Sequence, residues 1–177
     1  VNIHRNSGVH TTHLYFTGCV FNKKVVIGNF MQAGVIHFEK CIFNESLTIG
    51  EYRLNSTATF SKDCQFNKDL ILYINKEADI EISHLNIKNS LIINGGDVEQ
   101  IILSDINTDI PIEYQKIIIR VSCFKLIINN TYCEQVQVCN PAKIDESMVF
   151  ENLHANNILI DGAELNALLH FKQIEIC

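Results

Sequence analysis

Apolar and polar residues alternate along most of this 177-residue chain. The alternation begins with Leu14 and Phe16 and is still present at Ile158 and Ile160. A period of two is typical of β-strands, whose successive side chains point to opposite faces. Because glycines and asparagines separate the apolar runs, we expect many short strands joined by tight corners.

One short sequence unit, called the phrase below, occurs three times near the start of the chain, at residues 14–22, 36–44 and 58–67. Its first phenylalanine recurs at two equal intervals, from Phe16 to Phe38 and from Phe38 to Phe60. A short unit at fixed spacing is typical of a solenoid, in which each coil packs only against its neighbours. Strands this short must pair with the equivalent strand of the next coil. The sequence therefore predicts an all-β, parallel β-helix with about 22 residues per coil.

Equivalent positions of the phrase predict columns of side chains inside the coils. Cys19, Cys41 and Cys64 hold one such position, so we expect free, buried thiols in a reducing compartment and no disulfides. The third copy is one residue longer, and placing the extra residue at Asp63 predicts a bulge or a widened corner. Residues that tolerate a left-handed backbone mark the predicted corners: Gly18, Gly28, Gly34, Gly50, Asn22, Asn44 and Asn67.

After Phe66 the apolar pairs continue, but their spacing becomes less regular. The segment 104–114, which contains Pro111, predicts a longer loop or an altered coil, and Asn140-Pro141 marks a second break. Leucines in 163–172 have helical spacing but also fit strand alternation, so a short capping helix is one hypothesis. We treat the chain as one β-solenoid domain, 1–177, with an N-terminal cap or entry segment 1–13, coils 14–139, and last coils with a C-terminal cap 140–177.

Composition narrows the choice of partners. Hydrophobic residues make up 47% of the chain and charged residues 19%, with a net charge of −6 and no cluster of Lys and Arg. Nucleic acid is therefore not expected as a ligand, because phosphate binding needs clustered cations. No apolar stretch reaches the roughly 20 residues that span a bilayer, and no signal peptide opens the sequence. We expect a cytoplasmic protein, and a start at Val1 suits a domain of a longer one.

Grouped in fives, the phrase becomes Leu14-Tyr-Phe-Thr-Gly and Cys19-Val-Phe-Asn-Lys, and Ala163-Glu-Leu-Asn-Ala comes later. This resembles the pentapeptide-repeat proteins, whose small residue and central Leu or Phe both point into a right-handed β-helix. The resemblance implies a scaffold, not an enzyme. A strict repeat of fives would give shorter coils than the phrase does, so looser corners are expected. By the resemblance, Phe16, Phe21, Phe38, Phe43, Phe60, Phe66 and Leu165 would be central residues, and Cys19, Cys41, Cys64 and Ala163 small ones.

No motif for a nucleophile, a phosphate loop or a dinucleotide occurs, and we assign no catalytic, cofactor-binding or metal-binding residues. The acidic candidates have no matching basic residue, the paired histidines have no nearby Cys or acidic ligand, and the two cysteines are too far apart for a redox pair. The residues set aside are Asp97, Asp105, Asp109, His4, His10, His13, His37, His84, Cys133 and Cys139.

These observations favour a non-enzymatic β-solenoid scaffold that binds a protein partner, as a domain of a larger bacterial protein. A carbohydrate-binding or carbohydrate-cleaving β-helix is the alternative, and a groove lined by carboxylates and aromatics would favour it. A lesser alternative is a DNA mimic that inhibits a DNA-binding enzyme, which the acidic balance permits. Self-association through the coil ends is a third hypothesis, because an uncapped end presents unpaired backbone groups.

Overall fold

The structure is a computed structural model that describes residues 2–3, 13–28, 35–50, 57–61, 63–74 and 80–176. Regular structure within these ranges consists of β-strands, and the strands pair in parallel. They stack as a β-solenoid of about six turns, with about 22 residues between equivalent positions of neighbouring coils. The predicted fold class and coil length are confirmed.

Within the described ranges the solenoid has eighteen strands, which are short at first and long at β13, β14 and β15. In chain order they are β1 Asn2–Ile3, β2 His13–Thr17, β3 Val20–Phe21, β4 Val25–Ile27, β5 Val35–Glu39, β6 Ile42–Phe43, β7 Leu47–Ile49, β8 Thr57–Phe60, β9 Gln65–Phe66, β10 Leu70–Ile74, β11 Ile80–Ser83, β12 Asn86–Ile87, β13 Ser90–Ser104, β14 Lys116–Cys139, β15 Lys143–Asp161, β16 Glu164–Leu165, β17 Leu168–Lys172 and β18 Glu175–Ile176. Two small sheets, β2-β5-β8 and β3-β6-β9-β12, accompany an eleven-stranded sheet along β1-β4-β7-β10-β13-β14-β15-β16. In that sheet β11 pairs with β13, and β17 and β18 pair with β15.

Phenylalanines form the predicted ladders in the first coils. Phe38 lies in register between Phe16 and Phe60, with ring centroids 5.0 and 5.4 Å apart. Phe43 stacks in the same way, 4.9 Å from each neighbouring ring, and meets Phe38 edge-on across the core. Stacking of nearly parallel rings one coil apart follows from the strand spacing of the sheet. The inward direction of these residues is confirmed.

The thiols lie where the repeat placed them. Cys41 and Cys64 are buried and Cys19 is partly buried, and the six cysteines of the described ranges are free. Two of the buried thiols donate to a carbonyl of the preceding coil: Cys41 to Phe16 at 3.3 Å and Cys64 to Phe38 at 3.4 Å. The prediction of free, inward-facing thiols is confirmed for these positions.

One corner of the solenoid has a left-handed residue in coil after coil, with φ between 44° and 63°. Gly18 was predicted there, and Gly50 also has a positive φ, whereas Gly34 lies outside the described residues. The side chains in this column vary, although most residue types avoid the left-handed region. The column consists of Gly18, Lys40, His84, Asp105, Asn130, Asn152 and Gln173.

The corners predicted at Asn22, Asn44 and Asn67 are present but have no left-handed backbone, and Gly28 also has no positive φ. These asparagines mark a different corner, where they form a ladder of side-chain amides. Asn44 Nδ2 donates to Asn22 Oδ1 at 2.7 Å, and Asn67 Nδ2 donates to Asn44 Oδ1 at 2.8 Å. Asparagine suits this corner because a stacked amide both donates and accepts.

The first predicted irregularity is a widened corner. Phe38 pairs with Phe60 and Phe43 pairs with Phe66 on the next coil. The chain between Phe43 and Phe66 is one residue longer than the chain between Phe38 and Phe60. The extra residue falls in the turn that contains Asp63, closed by a hydrogen bond from the Cys64 N–H to the Ser61 carbonyl at 3.0 Å. A local turn therefore absorbs the insertion without disturbing the sheets.

The altered coil predicted at 104–114 is confirmed. Leu91 pairs in register with Leu70 of the preceding coil and with Ile117 of the following coil. More residues of the chain lie between Leu91 and Ile117 than between Leu70 and Leu91, so this coil contains an extra segment. Asn107 and Gln115, both buried, hold the ends of the extra segment. The Asn107 side chain accepts a backbone N–H of the preceding coil at 2.6 Å, while the Gln115 amide donates to the Pro111 carbonyl at 3.0 Å.

The second predicted break, at Asn140-Pro141, is a tight turn between β14 and β15. The Asn140-Pro141 bond is cis. The Ala142 N–H closes the turn onto the Cys139 carbonyl at 3.0 Å. The chain then continues directly into β15, so this break also leaves the parallel ladder intact.

The capping helix proposed within 163–172 is wrong. The segment forms β16 and β17, which continue the parallel ladder on β15, with Leu165 paired to Ile144 and Leu169 to Met148. Strand alternation prevails over helical spacing because the preceding coil offers a row of backbone groups that only an extended segment can pair. Leu165 and Ala163 pack against the core as the repeat implied.

Candidate binding groove

A surface groove with a volume of about 540 Å³ lies where β13, β14 and β15 run side by side. Its lining combines an apolar floor, an aromatic ring and several charged groups. The lining residues are Asp97, Val98, Glu99, Gln100, Phe124, Lys125 and Glu146.

Two irregularities on neighbouring coils shape this groove. The pairing of β13 with β14 shifts between Asn94 and Asp97, and the pairing of β14 with β15 shifts between Cys123 and Lys125. Bulges bend a sheet and redirect side chains, so two at adjacent levels open a concavity. Gly95 is required at the first, because a Cβ there would lie 1.9 Å from the carbonyl oxygen of Ile74.

Phe124 is the aromatic member of the groove and is 55% exposed. It follows the inward-facing Cys123 and therefore points outward. In the pairing of β13 with β14, Val98 lies opposite Cys123 and Gln100 lies opposite Lys125. Glu99 is therefore the residue of β13 that lies opposite Phe124, one coil away. Val98, only 3% exposed, forms the floor. The ring thus stands in the open beside a carboxylate one coil away.

Ion pairs surround the groove on the β15 side. Lys125 Nζ lies 3.2 Å from Glu146 Oε1, and Lys143 Nζ lies 3.1 Å from Asp145 Oδ1. A hydrogen bond from Asn166, and then one from Lys143, lowers the pKa of Asp145. The hydrogen bond to Asp145 raises the pKa of Lys143, and the charge of Asp97 adds to this. Both groups therefore stay charged over a wide pH range.

Glu99 differs from these carboxylates because it is exposed and makes no ion pair or hydrogen bond with any other described side chain. Glu146 already shares its charge with Lys125. Among the described lining residues, Glu99 is therefore a carboxylate without an ion pair that lies next to an exposed ring.

A smaller cavity of about 250 Å³ brings other candidates together. Asp63, His84 and Asp109 line it, and His84 Nε2 lies 3.5 Å from Asp105 Oδ2. Asp97 belongs to the larger groove, so the three aspartates do not form one site. Within the described ranges, no group of three or more His, Cys, Asp or Glu residues is placed to hold a metal ion. His4 and His10, and the side chain of His13, lie outside the described residues.

Cys133 and Cys139 are both buried in the core, where neither faces the groove. Burial raises the pKa of Cys133 to about 12, and burial also raises that of Cys123 to about 12, with a further contribution from Asp145. Such thiols remain protonated near neutral pH and are poor nucleophiles.

The groove residues Phe124, Glu99 and Glu146 were missed in the sequence, although two signals mark the place. Every second residue faces inward up to Val121 and Cys123, but the next inward-facing residue is Leu126. The alternation of inward and outward residues therefore shifts by one position here. A phase change in the alternation indicates a bulge, as does the glycine pair 95–96 inside a strand pattern. The ring left outward by that phase change is Phe124.

The outermost described coil presents a second exposed surface. Leu169 and Phe171 are 41% and 53% exposed, whereas their register partners Met148 and Phe150 are fully buried. These side chains point along the core column of the solenoid, so another layer of β-structure stacked on β17 would bury them.

The fold defines a class, a β-solenoid repeat protein, and the described residues form a lateral groove on it. Comparison of the chain with protein-family models, with curated proteins and with solved structures gives no match. No helix in the described ranges has the length and hydropathy needed to cross a membrane. The structure shows the parallel solenoid with inward phenylalanines that the resemblance to pentapeptide-repeat proteins implied, while no family match shows membership of that family.

Proposed function

We propose that this β-solenoid is a non-enzymatic scaffold that binds a protein partner through the Phe124 groove. The observation that carries the proposal is an aromatic ring held in the open above a buried apolar floor, on a sheet fixed by ladders from both neighbouring coils. Exposed aromatic residues in concave, preorganised surroundings are typical centres of protein interfaces.

The charged groups beside the groove support binding over catalysis. A general acid or base works best with a pKa near neutrality. Here the pKa of Asp145 is lowered and that of Lys143 is raised, so both move away from neutrality. Fixed charges of this kind suit recognition of a charged partner.

Membership of the pentapeptide-repeat family, a bacterial source and a cytoplasmic location are part of the same proposal. Inward Phe38 and Cys41 one coil below Phe60 and Cys64 support the family, and free thiols support a reducing compartment. The interval between register partners varies along the chain, being longer from Leu91 to Ile117 than from Leu70 to Leu91. Because a strict repeat of fives would keep this interval constant, a family relationship would be a distant one.

Carbohydrate binding or cleavage is the second candidate, favoured by the juxtaposition of Phe124 with carboxylates in one groove. An aromatic face can pack on the apolar face of a sugar ring, and carboxylates accept hydrogen bonds from hydroxyls. This candidate predicts retardation of the protein in polysaccharide-containing gels. Cleavage would in addition release reducing ends and would be lost in an Asp97→Asn variant.

The scaffold proposal is tested by photo-crosslinking in the cells that make the protein. A photoreactive phenylalanine analogue replaces Phe124 in the full-length protein, and a second version carries it at Tyr15, which is exposed and outside the groove. We expect a discrete protein adduct from position 124 and none of the same mass from position 15. Absence of any protein adduct at 124 would contradict the scaffold function.

Self-association through the coil end is a further mode of interaction that we propose, because Leu169 and Phe171 are exposed along the core column. Sedimentation of the full-length protein at rising concentration tests it. The weight-average mass should increase, and a Phe171→Asp change should abolish the increase. A strict monomer at high concentration would exclude this mode and leave the groove untouched.

A further inference from the structure

We infer that the groove binds an arginine side chain of the partner, with the guanidinium stacked on Phe124 and hydrogen-bonded to Glu99. This inference rests on the proposed scaffold function and names the chemistry of its partner. It follows from three properties of the groove: its charge, its exposed ring and the spacing between ring and carboxylate.

The charge of the lining favours a cation. Among the described residues that line the groove, three have carboxylates, on Asp97, Glu99 and Glu146, and one is a cation, Lys125. Lys125 is already paired with Glu146 at 3.2 Å, and Lys143 is paired with Asp145 and interacts with Asp97, so neither lysine neutralises Glu99. A concave surface with excess negative charge attracts positively charged groups and disfavours anions.

The ring selects among cations. Cations are attracted to the face of an aromatic ring, and arginine is found there more often than lysine. The guanidinium is planar, so it can stack on the ring while its N–H groups point in its own plane towards a carboxylate. An ammonium, which is compact and strongly hydrated, meets only one of these requirements well.

The spacing of the two groups fits one guanidinium. Glu99 and Phe124 hold equivalent positions on adjacent strands. Such strands lie about 4.8 Å apart in a sheet. A cation over the ring is therefore within hydrogen-bonding reach of the neighbouring carboxylate. The groove volume of about 540 Å³ also leaves room for the residues that flank the arginine in a peptide.

The smaller cavity beside His84 does not share these properties. Its imidazole is engaged with Asp105 at 3.5 Å, and no aromatic carbocycle lines it among the described residues. The groove at Phe124 is therefore the better place for a cationic side chain.

The test is an NMR titration of the full chain, labelled with ¹⁵N, with three short blocked peptides. They contain arginine, lysine or citrulline between glycines, citrulline being the neutral isostere of arginine. We expect saturable shifts of the backbone amides of Val98, Phe124 and Lys125 with the arginine peptide. Affinity should fall with added salt and be about tenfold weaker for citrulline.

Matched variants locate the contact. Phe124→Leu and Glu99→Gln should each weaken the arginine peptide several-fold, and the two changes together should abolish its binding. The controls, Tyr114→Leu and Glu113→Gln, alter an exposed ring and an exposed carboxylate outside the groove and should have no effect. An unchanged dispersion of the amide spectrum verifies that each variant is folded.

Equal binding of the arginine and citrulline peptides, or no binding, would overturn the inference. So would groove shifts produced by a neutral oligosaccharide such as cellohexaose in place of the arginine peptide, and that result would favour the carbohydrate candidate. A protein adduct at position 124 whose contact segment contains no arginine would refute the inference while leaving the scaffold function standing. Absence of any protein adduct would count against both.

Discussion

The two halves of the solenoid fill the same kind of core with different residues. From β2 to β10 the coils consist of strands of two to five residues, and stacked phenylalanines fill much of the interior. From β13 to β15 the strands are 15, 24 and 19 residues long and run through the corners around a core of Ile, Leu and Val. The backbone ladder is parallel in both halves.

The difference explains why the repeat is visible in one half only. A stacked ring needs a ring above and below it, so the same residue must recur in each coil. Aliphatic side chains replace one another at little cost when the volume is kept. One column shows this freedom in Ile82, Leu103 and Ile128, before it changes to Phe150 and Phe171 in the last coils.

The largest expected effect is on the aromatic half. Phe43 is fully buried between two stacked rings, so Phe43→Ala should lower the free energy of unfolding by roughly 3–5 kcal/mol. Urea denaturation of the wild type and the variant measures the loss. A loss below about 1 kcal/mol would show that the ladder contributes no more than a surface residue.

A matched pair of gentler changes sharpens the comparison. Leu103→Ile keeps the volume in a column that already varies, so it should cost less than about 1.5 kcal/mol. Phe43→Leu should cost more, because it also breaks ring contacts with Phe21 and Phe66. Equal costs would mean that the two halves do not differ in how strictly they specify residues.

Alternation and spacing were sufficient to predict the parallel coils, the inward phenylalanines and the free thiols. These features follow from burial, which selects residue type at every coil. The left-handed corner was not predictable in the same way, because Lys40, His84 and Gln173 adopt a conformation that their residue types usually avoid. At this corner the coil can close only if the backbone has a positive φ. Because this requirement applies to the backbone, the type of side chain does not indicate it.

The groove was missed for a related reason. Asp97 was considered and set aside for want of a basic partner nearby in the sequence. The structure brings Phe124 and Glu146 to it from the next two coils. Residues one or two coils further on become neighbours only when the register is known, and the bulges shift that register. The altered spacing within the groove therefore had to come from the structure.

The next prediction concerns the bulge that lets the long strands turn. Gly95→Ala should cost about 2 kcal/mol or more, since the new Cβ would collide with the Ile74 carbonyl at a strained φ of 146°. Gly162→Ala is the control. It has φ of 66° but its Cβ would meet only a side-chain carbon at 3.4 Å, so it should cost about 1–2 kcal/mol. Thermal denaturation of both variants tells whether collision adds to backbone strain.

A further prediction uses pH. The pKa of Cys133 is about 12 in the folded protein against an ordinary value of 9.0, so the unfolded chain loses this proton first as the pH rises. Stability should therefore be unaffected below pH 9 and decline between pH 9 and 12, by up to about 1.4 kcal/mol per pH unit. Cys133→Ala, which copies Ala155 of the next coil, should remove this part of the decline.

Comparison of the urea midpoints of wild type and Cys133→Ala at several pH values isolates the thiol from the lysines and tyrosines that titrate in the same range. If the urea midpoints of the two proteins fall equally as the pH rises, the pKa of Cys133 is not raised in the folded protein. Thiol labelling of the native protein is a companion measurement. Cys41, whose pKa burial also raises, should be spared while the more exposed Cys19 reacts.

The smallest expected effect lies where the two halves meet. The asparagine ladder stops at Asn67, whose Oδ1 is buried and has no hydrogen-bond donor among the described residues. The next coil has Lys88 at the equivalent place, since its N–H donates to the Phe66 carbonyl as that of Asn67 does to Phe43. Lys88→Asn should supply the missing donor and raise the free energy of unfolding by about 1 kcal/mol. Lys88→Ala, which removes the lysine without adding an amide, should give no such gain; equal stability of the two variants would mean that the ladder ends at Asn67 for a reason other than the lost amide.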